Sequence, residues 1–182
     1  MTGPLTNREL VSITQGRPHS NIKYFVETGS YKGDTSMSVS PLYEKVYAIE
    51  IEKTLYEDGI NSAKSKGIEN ITFINGDSVS VLPEIITDIK EGAVFFIDAH
   101  LSGRDSGWNQ KERVPILSEL VSILDSKIGP SVFIINDLRL WKSCVWDWAH
   151  ISNELILNVF TDRGYEFDVF YEENDKFVIL TK

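Results

Sequence analysis

Five short, nearly unbroken apolar runs punctuate the chain: Tyr24–Glu27, Val46–Glu50, Ile71–Ile74, Ala93–Asp98 and Ser131–Asn136. Each is rich in β-branched or aromatic residues and shows no apolar–polar alternation. A strand with one wet face alternates, whereas a strand covered on both faces does not, so the runs read as a largely parallel sheet between helical layers. The intervening stretches carry helical periodicity, which predicts helices at about residues 33–42, 53–66, 78–90, 113–127 and 149–162. Gly67 is placed to end the second of these, and Asp77 or Ser78 to start the third. Such alternation implies right-handed crossovers in an open, doubly wound sheet. After Gly164 the pattern changes: Tyr165–Tyr171 and Phe177–Thr181 are joined by a five-residue polar stretch with no room for a helix. They must pair as an antiparallel hairpin. A short leading helix fits between Leu5 and Gly16. The expectation is one α/β domain over residues 1–182, with a seven-stranded, mostly parallel sheet, a C-terminal antiparallel β-hairpin and residues 1–20 as an N-terminal extension.

Composition narrows the partners. The chain has 182 residues, long enough to fold around one core without a disulfide or structural metal. Its 18 basic and 27 acidic residues leave a net charge of −9, which repels phosphate backbones, and no local basic patch offsets it. Nucleic acid is therefore not an expected partner. The single cysteine, Cys144, excludes a disulfide framework and any multi-cysteine zinc site. It reads as a packing residue, with no histidine placed by motif to activate it. No basic-then-apolar leader opens the chain and no apolar run approaches membrane length, so a soluble cytoplasmic protein with no membrane partner is expected.

The strand ends carry the chemistry. The first strand empties into Glu27-Thr28-Gly29-Ser30-Tyr31-Lys32-Gly33-Asp34-Thr35. Small residues at a strand-to-helix turn let backbone approach a ligand, and the next helix offers free N–H groups. The spacing is neither the dinucleotide fingerprint nor a P-loop, which disfavours a dehydrogenase. Four successive strands deliver an acid to the carboxyl edge, where open α/β sheets bind ligands: Glu27, Glu50, Asp77 and Asp98. Taken singly, Asp77 also reads as a helix N-cap and Glu50 as a solvated loop acid. Together the acids favour a cationic or neutral nucleoside over a phosphate ester.

These motifs, E-T-G-S-Y-K-G, VYAIE, NGDS and FFIDAH followed by the terminal hairpin, resemble class I S-adenosylmethionine-dependent methyltransferases, from about Tyr24 to Thr181. The resemblance implies the strand order 3-2-1-4-5-7-6 and S-adenosylmethionine as cofactor. It places Gly29 and Gly33 beside the methionine part, Glu27 near the amino group, Glu50 on the ribose and Asp77 facing the adenine amine. Thr28, Ser30, Asp34, Thr35, Ile51, Ser78 and Asp98 complete the implied cofactor site. Thr28 departs from the small or branched residue many members carry there. The run Ile97-Asp98-Ala99-His100-Leu101-Ser102-Gly103 further resembles a narrower, small O-methyltransferase-like branch with an I-D-A-H-x-S-G signature.

In that strand order, Asp98 and His100 adjoin Asn136 and Asp137, and three readings stay open. Asp98, Asn136 and Asp137 offer hard oxygen ligands to Mg²⁺ or another divalent cation. Alternatively His100 acts as a general base without metal. In the third reading Asp98 orients the cofactor or loop, and His100 only braces the loop. The candidate catalytic residues are thus Asp98, His100 and Asp137. Candidate substrate contacts are His100, Ser102, Trp108, Arg139 and Trp141, with surface pairing as the plainer role for Arg139. Trp141, Trp146 and Trp148 do not share one helical stripe, so part of their segment reads as loop. They are suited to stacking on a sugar or aromatic acceptor, or equally to hydrophobic closure or a subunit contact. The expected activity is methylation of a small-molecule or sugar hydroxyl, with a homo-oligomer compatible. Another nucleoside-binding enzyme on this fold (hydroxylase-, lyase- or aminopropyltransferase-like) and a non-catalytic cofactor-binding module are the alternatives.

Overall fold

A computed structural model describes residues 5–14, 18–101, 106–109, 111–141, 143, 148–172 and 175–182. Seven strands form one sheet: β1 Tyr24–Thr28, β2 Lys45–Glu50, β3 Ile71–Asn75, β4 Val94–Ile97, β5 Val132–Ile135, β6 Phe167–Glu172 and β7 Lys176–Thr181. The order is β3-β2-β1-β4-β5-β7-β6, as expected. β1 to β5 are parallel, and β7 runs antiparallel to both β5 and β6. The order reverses between β1 and β4, which makes the carboxyl ends of these two strands the topological switch point, the place where open α/β sheets generally bind ligands.

Continuous burial of the central strands explains their sequence. Successive residues feed opposite layers: Val26, Phe95, Ile97, Phe133 and Ile135 join one core, and Phe25, Val94, Phe96, Val132 and Ile134 join the other. The first layer is closed by α4 (Ser78–Asp88), α5 (Ile116–Asp125) and α6 (Asn153–Thr161), with Phe133 stacked on Phe95 and edge-on to Phe160. The second holds α1 (Asn7–Thr14) and α2 (Asp34–Val39), through Leu10, Ile13 and Val39. α3 (Lys53–Ser65) packs on β2 and β3.

Several helix limits differ from the sequence expectation for local reasons. Pro41 lacks an N–H, so the helix expected over 33–42 stops at Val39 and continues as a 3-10 turn, Ser40–Leu42. The fourth helix begins at Ile116, after Pro115 at its N-cap. The last begins at Asn153, where the Ser152 hydroxyl accepts from the Leu155 N–H. The hairpin strands lie within two residues of their expected limits, at Phe167–Glu172 and Lys176–Thr181.

Candidate active site

The loop after β1 is built by two left-handed glycines serving different contacts. At Gly29 (φ 69°) a Cβ would lie 2.7 Å from Ala99 Cα and from the Asp98 carbonyl oxygen, so the loop rests directly on the end of β4. At Gly33 (φ 77°) a Cβ would strike the Phe73 ring. Gly33 is also the N-cap of α2 and has no side chain to cap it. Glu27 substitutes: its Oε2 accepts from the Ser36 N–H at 3.1 Å and from the Ser36 hydroxyl at 2.5 Å. Burial of Glu27, only 2% exposed, pushes its carboxyl up to about 8, against the lowering effect of Ser36 and with a further rise from Asp98. Thr28 is buried, and its hydroxyl accepts from the Asp98 N–H. Thr35 is buried and accepts from the Leu5 N–H, while Asp34 is exposed. The Ser30 hydroxyl is buried and has no hydrogen-bond partner among the described residues.

Glu50 is not a solvated loop acid. It is buried, with Oε2 accepting from the Tyr31 N–H at 2.7 Å and Oε1 from the Glu52 N–H at 2.9 Å. Its carboxylate therefore holds the first loop to the β2 end, while burial raises its pKa. Asp77 occupies the N-cap position of α4 but makes no side-chain capping bond. Its two oxygens accept instead from Ser80 Oγ and from Asn109 Nδ2. Ile51 and Ser78 flank these acids at the same two strand ends.

At the ends of β4 and β5, Asp98, His100 and Asp137 converge, with potential ligand atoms all within 4.8 Å of one another. His100 Nε2 lies 2.9 Å from Asp137 Oδ2, and Nδ1 lies 3.7 Å from Asp98 Oδ1. Burial disfavours the charged imidazole, but the Asp137 hydrogen bond and the two carboxylates outweigh it, and the pKa is raised. Asp98 is pushed up to about 6 by burial, despite His100, the Asn136 Nδ2–H it accepts and nearby Lys176. Asp137, in the left-handed region at φ 61°, is held at about 2: burial opposes its charge, and His100 and Arg139 overcome it. Arg139 bridges Asp137 to Asp175 in the hairpin turn, so its guanidinium is engaged in an ion-pair network.

The remaining candidates separate. Trp141 is in the core, edge-on to Phe177. Trp148 is 1% exposed and edge-on to His100 at 5.1 Å, with no partner for its indole N–H among the described residues. Trp108 is 37% exposed, with the Arg113 guanidinium 5.2 Å from its ring centroid. Ser102, Cys144 and Trp146 lie outside the described residues. One buried acid, Glu119 of α5, was not singled out from the sequence. It sits at 0% exposure beside the hydroxyls of Ser78 and Thr28, and burial pushes it up to about 7. A signal existed: Glu119 falls on the apolar stripe Ile116–Leu120–Ile123–Leu124.

Comparison with known proteins places the fold. No protein-family model matches the chain. An uncharacterised RNA methyltransferase of Fusobacterium nucleatum is 34% identical over 120 residues, 66% of this chain and 25% of that protein. A flavonoid 3',5'-methyltransferase of Vitis vinifera is 33% identical over 75 residues, 39% of this chain and 32% of that one. These matches span about a quarter to a third of the relatives' own length. A SAM-dependent methyltransferase from Aquifex aeolicus superposes with a TM-score of 0.61 at 13% identity, covering 97% of this chain and 89% of that one. The seven-stranded architecture is the class I methyltransferase fold.

Proposed function

We propose that the protein is an S-adenosylmethionine-dependent methyltransferase that acts on a hydroxyl of a small molecule or sugar. The observation that carries this reading is contiguity: Gly29 of the first loop rests on Asp98 and Ala99, next to the Asp98–His100–Asp137 constellation. A cofactor seated on the loop would thus have its reacting end beside a group able to take a proton. The described groups fit such a cofactor. The Ser30 hydroxyl is buried with no partner among the described residues, and the Glu50 oxygens are oriented by backbone N–H groups with lone pairs left for ribose hydroxyls. Glu27 would ionise more readily beside an ammonium group. The narrower O-methyltransferase-like signature, Ile97 to Gly103, belongs to the same proposal.

When bound, S-adenosylmethionine supplies an already activated methyl group. The chain must align the acceptor, exclude water and remove its proton. In this reading Asp137 accepts the His100 Nε2–H, Nδ1 would take up the acceptor's proton, and both carboxylates would stabilise the resulting imidazolium. Trp148 walls one side of the imidazole, and its N–H, without a partner among the described residues, offers a donor to an acceptor oxygen. Asp98, His100 and Asp137, with Asn136 beside them, form an oxygen-and-imidazole set compatible with a divalent cation. Those residues would hold it, and it would lower the acceptor hydroxyl's pKa.

A second reading, methylation of RNA, is favoured by the name of the Fusobacterium relative. The net charge of −9 weighs against it. Thermal shift with S-adenosylmethionine and S-adenosylhomocysteine tests the cofactor: stabilisation is expected, and no shift at millimolar ligand overturns the proposal. S-adenosylhomocysteine release over panels of sugars, phenols and total RNA then separates the acceptors. Turnover on RNA alone would select the second reading. Loss of turnover with EDTA, restored by Mg²⁺ or Mn²⁺, would assign proton removal to a metal-bound hydroxyl instead of His100.

A further inference from the structure

We propose that Asn109 is a positioning residue that locks Asp77 as the reader of the cofactor's nucleobase. This rests on the cofactor reading proposed above, with Asp77 facing the adenine amine as the class I resemblance implies. The Leu101 N–H donates to the Arg113 carbonyl at 2.9 Å, closing the base of the loop that follows β4. Farther along that loop, Gly107 abuts Ile51, where a Cβ would lie 2.7 Å from Ile51 Cγ2. Asn109 then reaches the next strand end. The loop therefore touches the two strand ends that carry Glu50 and Asp77.

The Asn109 carboxamide is itself held. Its Oδ1 accepts from the Lys111 and Glu112 N–H groups, both at 2.9 Å, so its Nδ2 is fixed toward Asp77 Oδ1 at 3.2 Å. Ser80 Oγ donates to the other Asp77 oxygen at 3.0 Å. Asp77 is thus clamped at both oxygens yet spends neither on capping α4. A carboxylate so fixed, with lone pairs remaining, accepts from an amino group and opposes a carbonyl oxygen at the same place. It cannot turn aside to accommodate the wrong base. The clamp therefore selects a purine with an exocyclic amine, adenine, over one with a carbonyl there, hypoxanthine.

The test measures binding of S-adenosylhomocysteine and S-inosylhomocysteine by calorimetry to the wild type, Asn109→Ala and Ser80→Ala, with melting curves confirming that each variant is folded. The wild type is expected to prefer the adenosyl compound. Asn109→Ala should weaken S-adenosylhomocysteine by about tenfold, the scale of one lost hydrogen bond, and narrow its preference over the inosyl compound. Ser80→Ala, which frees the other oxygen, should narrow the preference in the same direction. An unchanged preference in both folded variants overturns the clamp while leaving the cofactor reading intact. Failure of the wild type to bind either compound overturns both.

Discussion

Three acids at the carboxyl edge of the sheet have quite different work, although each ends a strand. Glu27 caps a neighbouring helix, Glu50 holds a loop, and Asp98 faces an imidazole. His100 is the residue on which the proposed chemistry turns. His100→Ala is expected to lower kcat by roughly 10²–10⁴, the usual range for a positioned acid–base group, while S-adenosylhomocysteine affinity stays within about twofold. Steady-state turnover together with calorimetry checks this, and wild-type turnover in His100→Ala would leave the histidine a structural brace. Gly29 offers a conformational test. An alanine there adds strain at φ 69° and a backbone clash with Ala99, so Gly29→Ala should cost roughly 1–3 kcal/mol in a urea titration and weaken cofactor binding.

The first helix and the last strand are joined at the level of elements by an ion pair whose lysine is nearly buried. Lys176, which opens β7, places Nζ 3.1 Å from Glu9 Oε1 with its side chain 2% exposed. Glu9 Oε2 also accepts from the Thr6 N–H and hydroxyl, and the Thr6 hydroxyl accepts from the Glu9 N–H, a reciprocal cap on α1. Glu9→Gln takes one carboxylate away from this ammonium and should destabilise by roughly 1–3 kcal/mol, and adding Lys176→Met should recover part of the loss. Urea unfolding of the two single variants and the double variant checks the sign of the coupling; strict additivity would refute it. The loop after β4 is another joining element, since it bridges β2 and β3 through Gly107 and Asn109.

For the molecule as a whole, buried acids set the pH response of stability. Glu27 and Glu119 have folded pKa values raised to about 8 and about 7 by burial. A raised acid favours the fold fully below its unfolded pKa, and that contribution is lost as pH rises through the folded value. The ligand-free protein should therefore lose stability from about pH 4.5 toward pH 8, by at most roughly 3 kcal/mol for Glu119 alone. Asp137, held at about 2, works in the opposite sense and loses its contribution only as pH falls toward 2. Urea midpoints between pH 5 and 8.5 check the slope, and Glu27→Gln and Glu119→Gln should each flatten it. A flat profile in the wild type would contradict the burial argument.

Strand positions, their parallel pairing and the acids at their ends were legible in the sequence, because a strand buried on both faces must be apolar throughout and punctuated where it meets water. Val94–Ile97 and Val132–Ile135 show this plainly, as neighbours in the sheet with no exposed face. Sequence also placed the acids at the carboxyl edge of the sheet, since that edge follows from topology. What each acid does required tertiary structure. That Asp77 accepts from Asn109 instead of capping its helix depends on a partner thirty-two residues away. Whether Glu50 is solvated depends on Tyr31, nineteen residues earlier. Burial and hydrogen-bond direction are set by partners brought together across loops, and no local pattern encodes them; the apolar stripe around Glu119 comes nearest, because a helix turns its own buried face toward the core.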